Sequence, residues 1–191
     1  MMPRVCAFCP AFLLPTMDFT QTHFALFGLP PTYALDREQL DAAYRELQNT
    51  VHPDRFAAQS EAEQRVAMQW ATRANEAYRT LKHPVDRGVY LLQLQGIDAL
   101  DAHNTRMAPA FLMQQMEWRE AIEDARAAKS VAALDALTDE LRLAHRRIET
   151  QLVELLDAKQ DFEGAREAVR QLRFMDKLIG EVGDVYEELE G

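Results

Sequence analysis

Two short stretches of this chain carry residue types that could do chemistry at close range: Cys6-Ala-Phe-Cys9 and His52-Pro53-Asp54. The cysteine pair has metal-ligand spacing, but a structural zinc site takes four ligands. The chain has only these two cysteines and the nearest histidine is His23. No metal site is therefore assigned and no cofactor is expected. A disulfide framework is excluded as well, and so few cysteines fit a reducing, cytoplasmic setting. His52 and Asp54 could form a general-base dyad, but such a dyad needs a nucleophile. Both cysteines lie far upstream and no Gly-x-Ser-x-Gly motif occurs. No catalytic residue is assigned and the chain is not read as an enzyme. What remains is a contact site. Pro53 stiffens the backbone, Asp54 can accept a bidentate guanidinium and His52 can donate. The plainer alternative is a helix stop in which Asp54 bonds only its own loop.

The elements that hold this tripeptide are helices. Asp36 with Gln39 has the form of a capping box, followed by an apolar stripe at Leu40, Tyr44, Leu47 and Val51. Pro53 disfavours helical geometry at His52 and stops that helix. Ser60 with Glu63 starts the next, with Val66, Trp70, Ala74, Ala77 and Leu81 as its stripe. Two amphipathic helices joined by so short a loop pack antiparallel. Pro84 breaks the pattern. A short helix is expected from Arg87 to Gly96, then a loop over 97–107. Three longer helices follow. The first has Pro109 in its opening turn. The second starts after Ser130, with Val131, Leu134, Leu137, Leu141, Ile148, Leu152 and Leu155. The third starts after Asp161, with Ala165, Val169, Leu172, Met175, Ile179, Val182 and Tyr186.

Composition agrees with an all-α fold. Ala and Leu together number 51 against 14 for Val and Ile, and β-branched side chains lose rotamer freedom in helices. No stretch approaches the apolar length of a membrane span. The net charge of −10 argues against a nucleic-acid surface. It is uneven: residues 18–88 carry −2 and residues 89–191 carry −9. Residues 1–17 hold three prolines and no acid. They read as a disordered tail, or as sequence upstream of a true start at Met17. The apolar run is too broken for a signal peptide.

An amphipathic helix, His-Pro-Asp and a capped antiparallel helix together resemble a J-domain, the module by which DnaJ-type co-chaperones stimulate a DnaK-class ATPase. Phe24-Ala-Leu-Phe27-Gly28-Leu29 and Asn75-Glu76-Ala77-Tyr78 belong to the same resemblance. Ala74 stands where a larger aliphatic residue usually precedes that asparagine. Beyond the J-domain, Leu81-Lys-His-Pro84-Val-Asp-Arg87-Gly-Val-Tyr90-Leu91-Leu92, Phe111–Glu120 and Leu172–Leu178 resemble the HscB family of iron–sulfur cluster assembly. The resemblance implies a J-domain over 18–88, a connecting helix and loop over 89–104, and a C-terminal three-helix bundle over 105–191.

It also implies partners and sites. An HscA-type ATP-driven chaperone would meet His52, Pro53 and Asp54, with Arg45 and Arg55 beside them; Arg37 and Arg45 are the only basic residues on that helix. An IscU-type scaffold would meet Leu112, Met113, Met116, Glu117, Glu120, Asp124 and Phe174. Met116 stands where Leu is common in the family, and Asp124 where Glu is common. The residues themselves point the same way. Phe111, Gln115, Trp118 and Ile122 suffice to seat their helix, yet Leu112 and Met116 lie on another face beside a row of acids. Phe174 and Leu178 stand off the stripe of the last helix in the same manner. A wide core burying all of these is the alternative at this level. No nucleic-acid or membrane partner is expected, and a monomer or weak homodimer fits. A helical oligomerisation protein and a general J-protein delivering unfolded clients are the rival functions; no Gly/Phe-rich linker or Cys-rich repeat favours the latter.

Overall fold

The opening helix, α1 (His23–Leu26), is one turn long. The Thr22 hydroxyl caps it by accepting from the Ala25 N–H. The structure is a computed structural model and describes residues 18–101 and 107–190. The Cys6–Cys9 pair, the rest of segment 1–17 and the middle of the expected 97–107 loop lie outside the described residues. Helix α2 (Arg37–Val51) begins where the Asp36 carboxylate accepts from the Glu38 and Gln39 amides, and ends where His52 turns extended before Pro53. A 3-10 turn over Pro53–Phe56 follows. Helix α3 (Glu61–Lys82) opens on a complete capping box: Ser60 Oγ accepts from Glu63 N, and Glu63 returns a bond to Ser60 N.

Helix α4 (Pro84–Leu94) starts three residues earlier than expected, with Pro84 in its first turn. A proline there costs nothing, because the amide it lacks has no partner in a first turn. Gly96, at φ +75°, ends the helix, and Ile97 N–H returns to Leu92 O. Helices α5 (Pro109–Ala127), α6 (Val131–Leu152) and α7 (Phe162–Glu190) form the second half. Ser130 caps α6 through Ala133 N, and Asp161 opens α7 by accepting from Gly164 N. The Trp118 indole donates to Glu140 at 2.8 Å, tying α5 to α6. The described residues are helical or irregular, with no strand, as the composition predicts.

Three further expectations need correction. Val131 belongs to the α6 stripe by spacing but is exposed, in the first turn of the helix. Leu178 is fully buried rather than off the stripe. Helix α7 packs against α4, α5 and α6, so its apolar surface is wider than one stripe and also takes in Ala168 and Val185. Helix α6 does not run straight to Leu155: from Val153 to Lys159 the backbone is a π-helix, closed by Gln160 at φ +53°.

One apolar cluster runs through both halves, from Phe24, Phe27 and Leu40 through Leu81, Val85 and Leu92 to Leu141, Leu172 and Val185. Gly88 marks a point of close approach between α4 and α7. A Cβ there would stand 2.7 Å from Val169 Cγ2, so α4 and α7 touch because residue 88 has no side chain.

A polar cluster closes the same junction. His145 Nδ1 lies 2.8 Å from Glu149, its Nε2 lies 3.1 Å from Asp176, and His83 approaches Asp176 at 3.6 Å. The Glu149 hydrogen bond holds the His145 pKa above its ordinary 6.5, and the same bond holds Glu149 below its ordinary 4.5. Since folding raises the histidine value, its stabilisation is complete below the unfolded value and is lost as pH rises through the folded one. Glu149 acts oppositely, its contribution being lost as pH falls through its lowered value. Replacing His145 with Gln should therefore cost up to about 1 kcal/mol near pH 6 and progressively less as pH rises above that. Thermal melts of both proteins across that range check this; a difference independent of pH contradicts it.

Candidate functional site

The His52–Asp54 loop is built from beneath. Val51 and Phe56, on either side of it, are both buried, so the chain is pinned before and after the motif. Phe56 is an anchor that motif reading missed, although a large apolar residue two positions after a polar tripeptide is a visible signal. The Asp54 N–H donates to His52 Nδ1 at 3.3 Å, so the ring caps the 3-10 turn through that nitrogen. The Asp54 carboxylate is 89% exposed. It contacts His52 Nδ1 only at 3.6 Å, so it is displayed rather than spent on its own loop. Arg55 Nη1 donates to Asn49 O at 2.7 Å, which satisfies a carbonyl at the end of α2 and steadies the loop. Arg45 is exposed on α2.

The hairpin that presents this loop is set by a polar zipper. Tyr44 Oη and Gln48 Nε2 both donate to Asn75 Oδ1 at 2.6 Å. The Tyr44 and Tyr78 rings stack at 4.0 Å, and Tyr78 Oη donates to Asp41 at 2.7 Å. Asn75 and Tyr78 thus fix the register of α3 on α2. Tyr44 was legible only as part of a stripe, and Gln48, four residues on, was not singled out by the sequence.

The second group of residues lies on α5. Trp118, Ile122 and Ala125 are buried, which turns the opposite face outward. Leu112, Met113 and Met116 are 46%, 65% and 72% exposed. Glu117, Glu120 and Asp124 are exposed beside them. The wide-core alternative is thus excluded for these three apolar residues. Phe174 differs: it is half-buried at the edge of this face, its ring edge-on to Phe111 at 6.0 Å and beneath the Arg119 guanidinium at 5.5 Å. The structure therefore brings the α5 residues together as one strip and places Phe174 at its margin. Among the described residues, no His, Cys, Asp and Glu group is placed to hold a metal ion, and no helix is long and apolar enough to cross a membrane.

Residues 107–183 match the HSCB C-terminal oligomerisation domain. A co-chaperone protein HscB homolog of Burkholderia thailandensis is 59% identical over 174 residues, covering 91% of this chain and 99% of the relative. The chain belongs to the HscB family. Among solved structures, chaperone HscB from Vibrio cholerae is 40% identical with a TM-score of 0.77, over 88% of this chain and 99% of that one. Human co-chaperone protein HscB is 28% identical with a TM-score of 0.80, over 95% and 91%. As an HscB protein the chain is a J-type co-chaperone, and its all-helical architecture is that of HscB.

Proposed function

We propose that this chain stimulates the ATPase of an HscA-type chaperone through the His52–Asp54 loop and delivers to it an IscU-type scaffold held on α5, in iron–sulfur cluster assembly. The hydrolytic groups belong to the chaperone, and this chain supplies none. The observation that carries the reading is the α5 strip of Leu112, Met113 and Met116, exposed beside Glu117, Glu120 and Asp124. Apolar residues left in water and rimmed by charge suit a protein partner, and methionine adapts to an irregular one. Holding both partners on one molecule raises the local concentration of scaffold at the chaperone. The setting is proposed to be the cytoplasm.

A second reading comes from the name of the matching domain, which is one of oligomerisation: the α5 strip would then pair two copies of this chain. One experiment separates them. Purified scaffold is titrated into the protein by calorimetry, with light scattering of the protein alone. A one-to-one complex formed by a monomer is expected. A stable dimer with no heat on adding scaffold supports the pairing reading.

A further inference from the structure

The J half and the bundle are joined by more than apolar packing. Asp157, in the π-helical segment after α6, faces the turn between α1 and α2. Its Oδ1 accepts from the Tyr33 N–H at 2.7 Å and its Oδ2 from the Ala34 N–H at 2.8 Å. Both carboxylate oxygens thus grip consecutive peptide groups of the other half. The turn is stiff on either side. Pro30 and Pro31 precede it, and the Tyr33 ring is buried beneath the Arg87 guanidinium at 4.8 Å. Apolar faces can slide over one another, whereas two charge-assisted hydrogen bonds to adjacent amides are directional. The local backbone is built for this contact. A π-helix is rare and recurs at functional sites, and here it buries Leu155 and Leu156 while carrying Asp157 to the interface. The clamped turn leads directly into α2, whose far end carries His52. That helix is a lever of about 22 Å, so a small rotation at its base displaces the loop by several ångströms.

We propose that Asp157 is a positioning residue whose clamp on the Tyr33 and Ala34 amides fixes the angle between the His52–Asp54 loop and the α5 face, so that chaperone and scaffold are engaged together. This rests on the function proposed above. The clamp adds nothing to either contact alone; its effect appears only when both partners are present, because a wandering angle dilutes the local concentration that tethering provides.

The test is Asp157→Asn in the full chain, which keeps the shape but sets an amide N–H against a peptide N–H; Asp157→Ala is the second variant should the first melt early. Chaperone ATPase is measured with the co-chaperone alone, with scaffold alone and with both. Spin labels at Ala62→Cys and Ala132→Cys, with Cys6 and Cys9 changed to Ser, report the distance between the halves. The expected result is unchanged stimulation by the co-chaperone alone, unchanged scaffold affinity, a broadened distance distribution, and a loss of about tenfold in the synergy between the two partners. Synergy equal to wild type, with either a narrow or a broad distribution, overturns the proposal. Absence of ATPase stimulation or scaffold binding by the wild-type protein overturns the underlying function instead, and the coupling with it.

Discussion

Stimulation of the chaperone ATPase is expected to fall to background when His52 becomes Gln or Asp54 becomes Asn. The Asp54 carboxylate is almost fully exposed, and the His52 ring, whose Nδ1 caps the turn, is about half exposed, which leaves the carboxylate and Nε2 for a partner. Loss of a central charged contact commonly costs about 2 kcal/mol or more, roughly thirtyfold in affinity. The fold should not register either change. Both side chains are exposed, while Val51 and Phe56 hold the loop from below, and surface substitutions of this kind stay within about 0.5 kcal/mol. Single-turnover ATPase measurements with circular dichroism melts check this. Normal stimulation by either folded variant would remove the loop from the proposed function.

The second large effect belongs to α5. Changing Leu112, Met113 and Met116 together to Ala should leave the melting temperature nearly unchanged, since none fills a cavity; a buried Leu→Ala change costs about 2–5 kcal/mol. Scaffold binding should weaken by more than about 1 kcal/mol for each anchor lost, while stimulation of the chaperone without scaffold survives. Phe174 is kept out of this set because its ring contacts Phe111 and Arg119. Calorimetry beside a thermal melt reads both quantities. Unaltered scaffold affinity in a folded variant would displace the site from α5.

Local rules carried far here. Caps at Asp36, Ser60, Ser130 and Asp161 are written as side-chain types at helix starts, and Pro53 announces the end of α2 one residue ahead. The exposure of Leu112 and Met116 was also legible, because a helix already seated by Trp118 and Ile122 has no use for a second apolar face. The illegible features depend on neighbours. Leu178 is off-stripe on its own helix and becomes core only because α7 is flanked on several sides. Val131 has the right spacing and lacks a neighbour to cover it. The π-helix leaves no signature in Val153–Lys159, and the contact it makes is with a turn more than a hundred residues away.

The apolar cluster shared by both halves has a bearing on damage as well as on assembly. Val169 fills the space over Gly88, and Leu81, Val85 and Leu92 are covered partly by helices that come later in the chain. A molecule that loses its last helices to a protease or to heat thereby uncovers the apolar side of α4, while Val51 and Phe56 beneath the His52–Asp54 loop lie outside this shared cluster. In the proposed role, a copy that loses its holding surface is left with exposed apolar side chains on α4 that mark it for disposal.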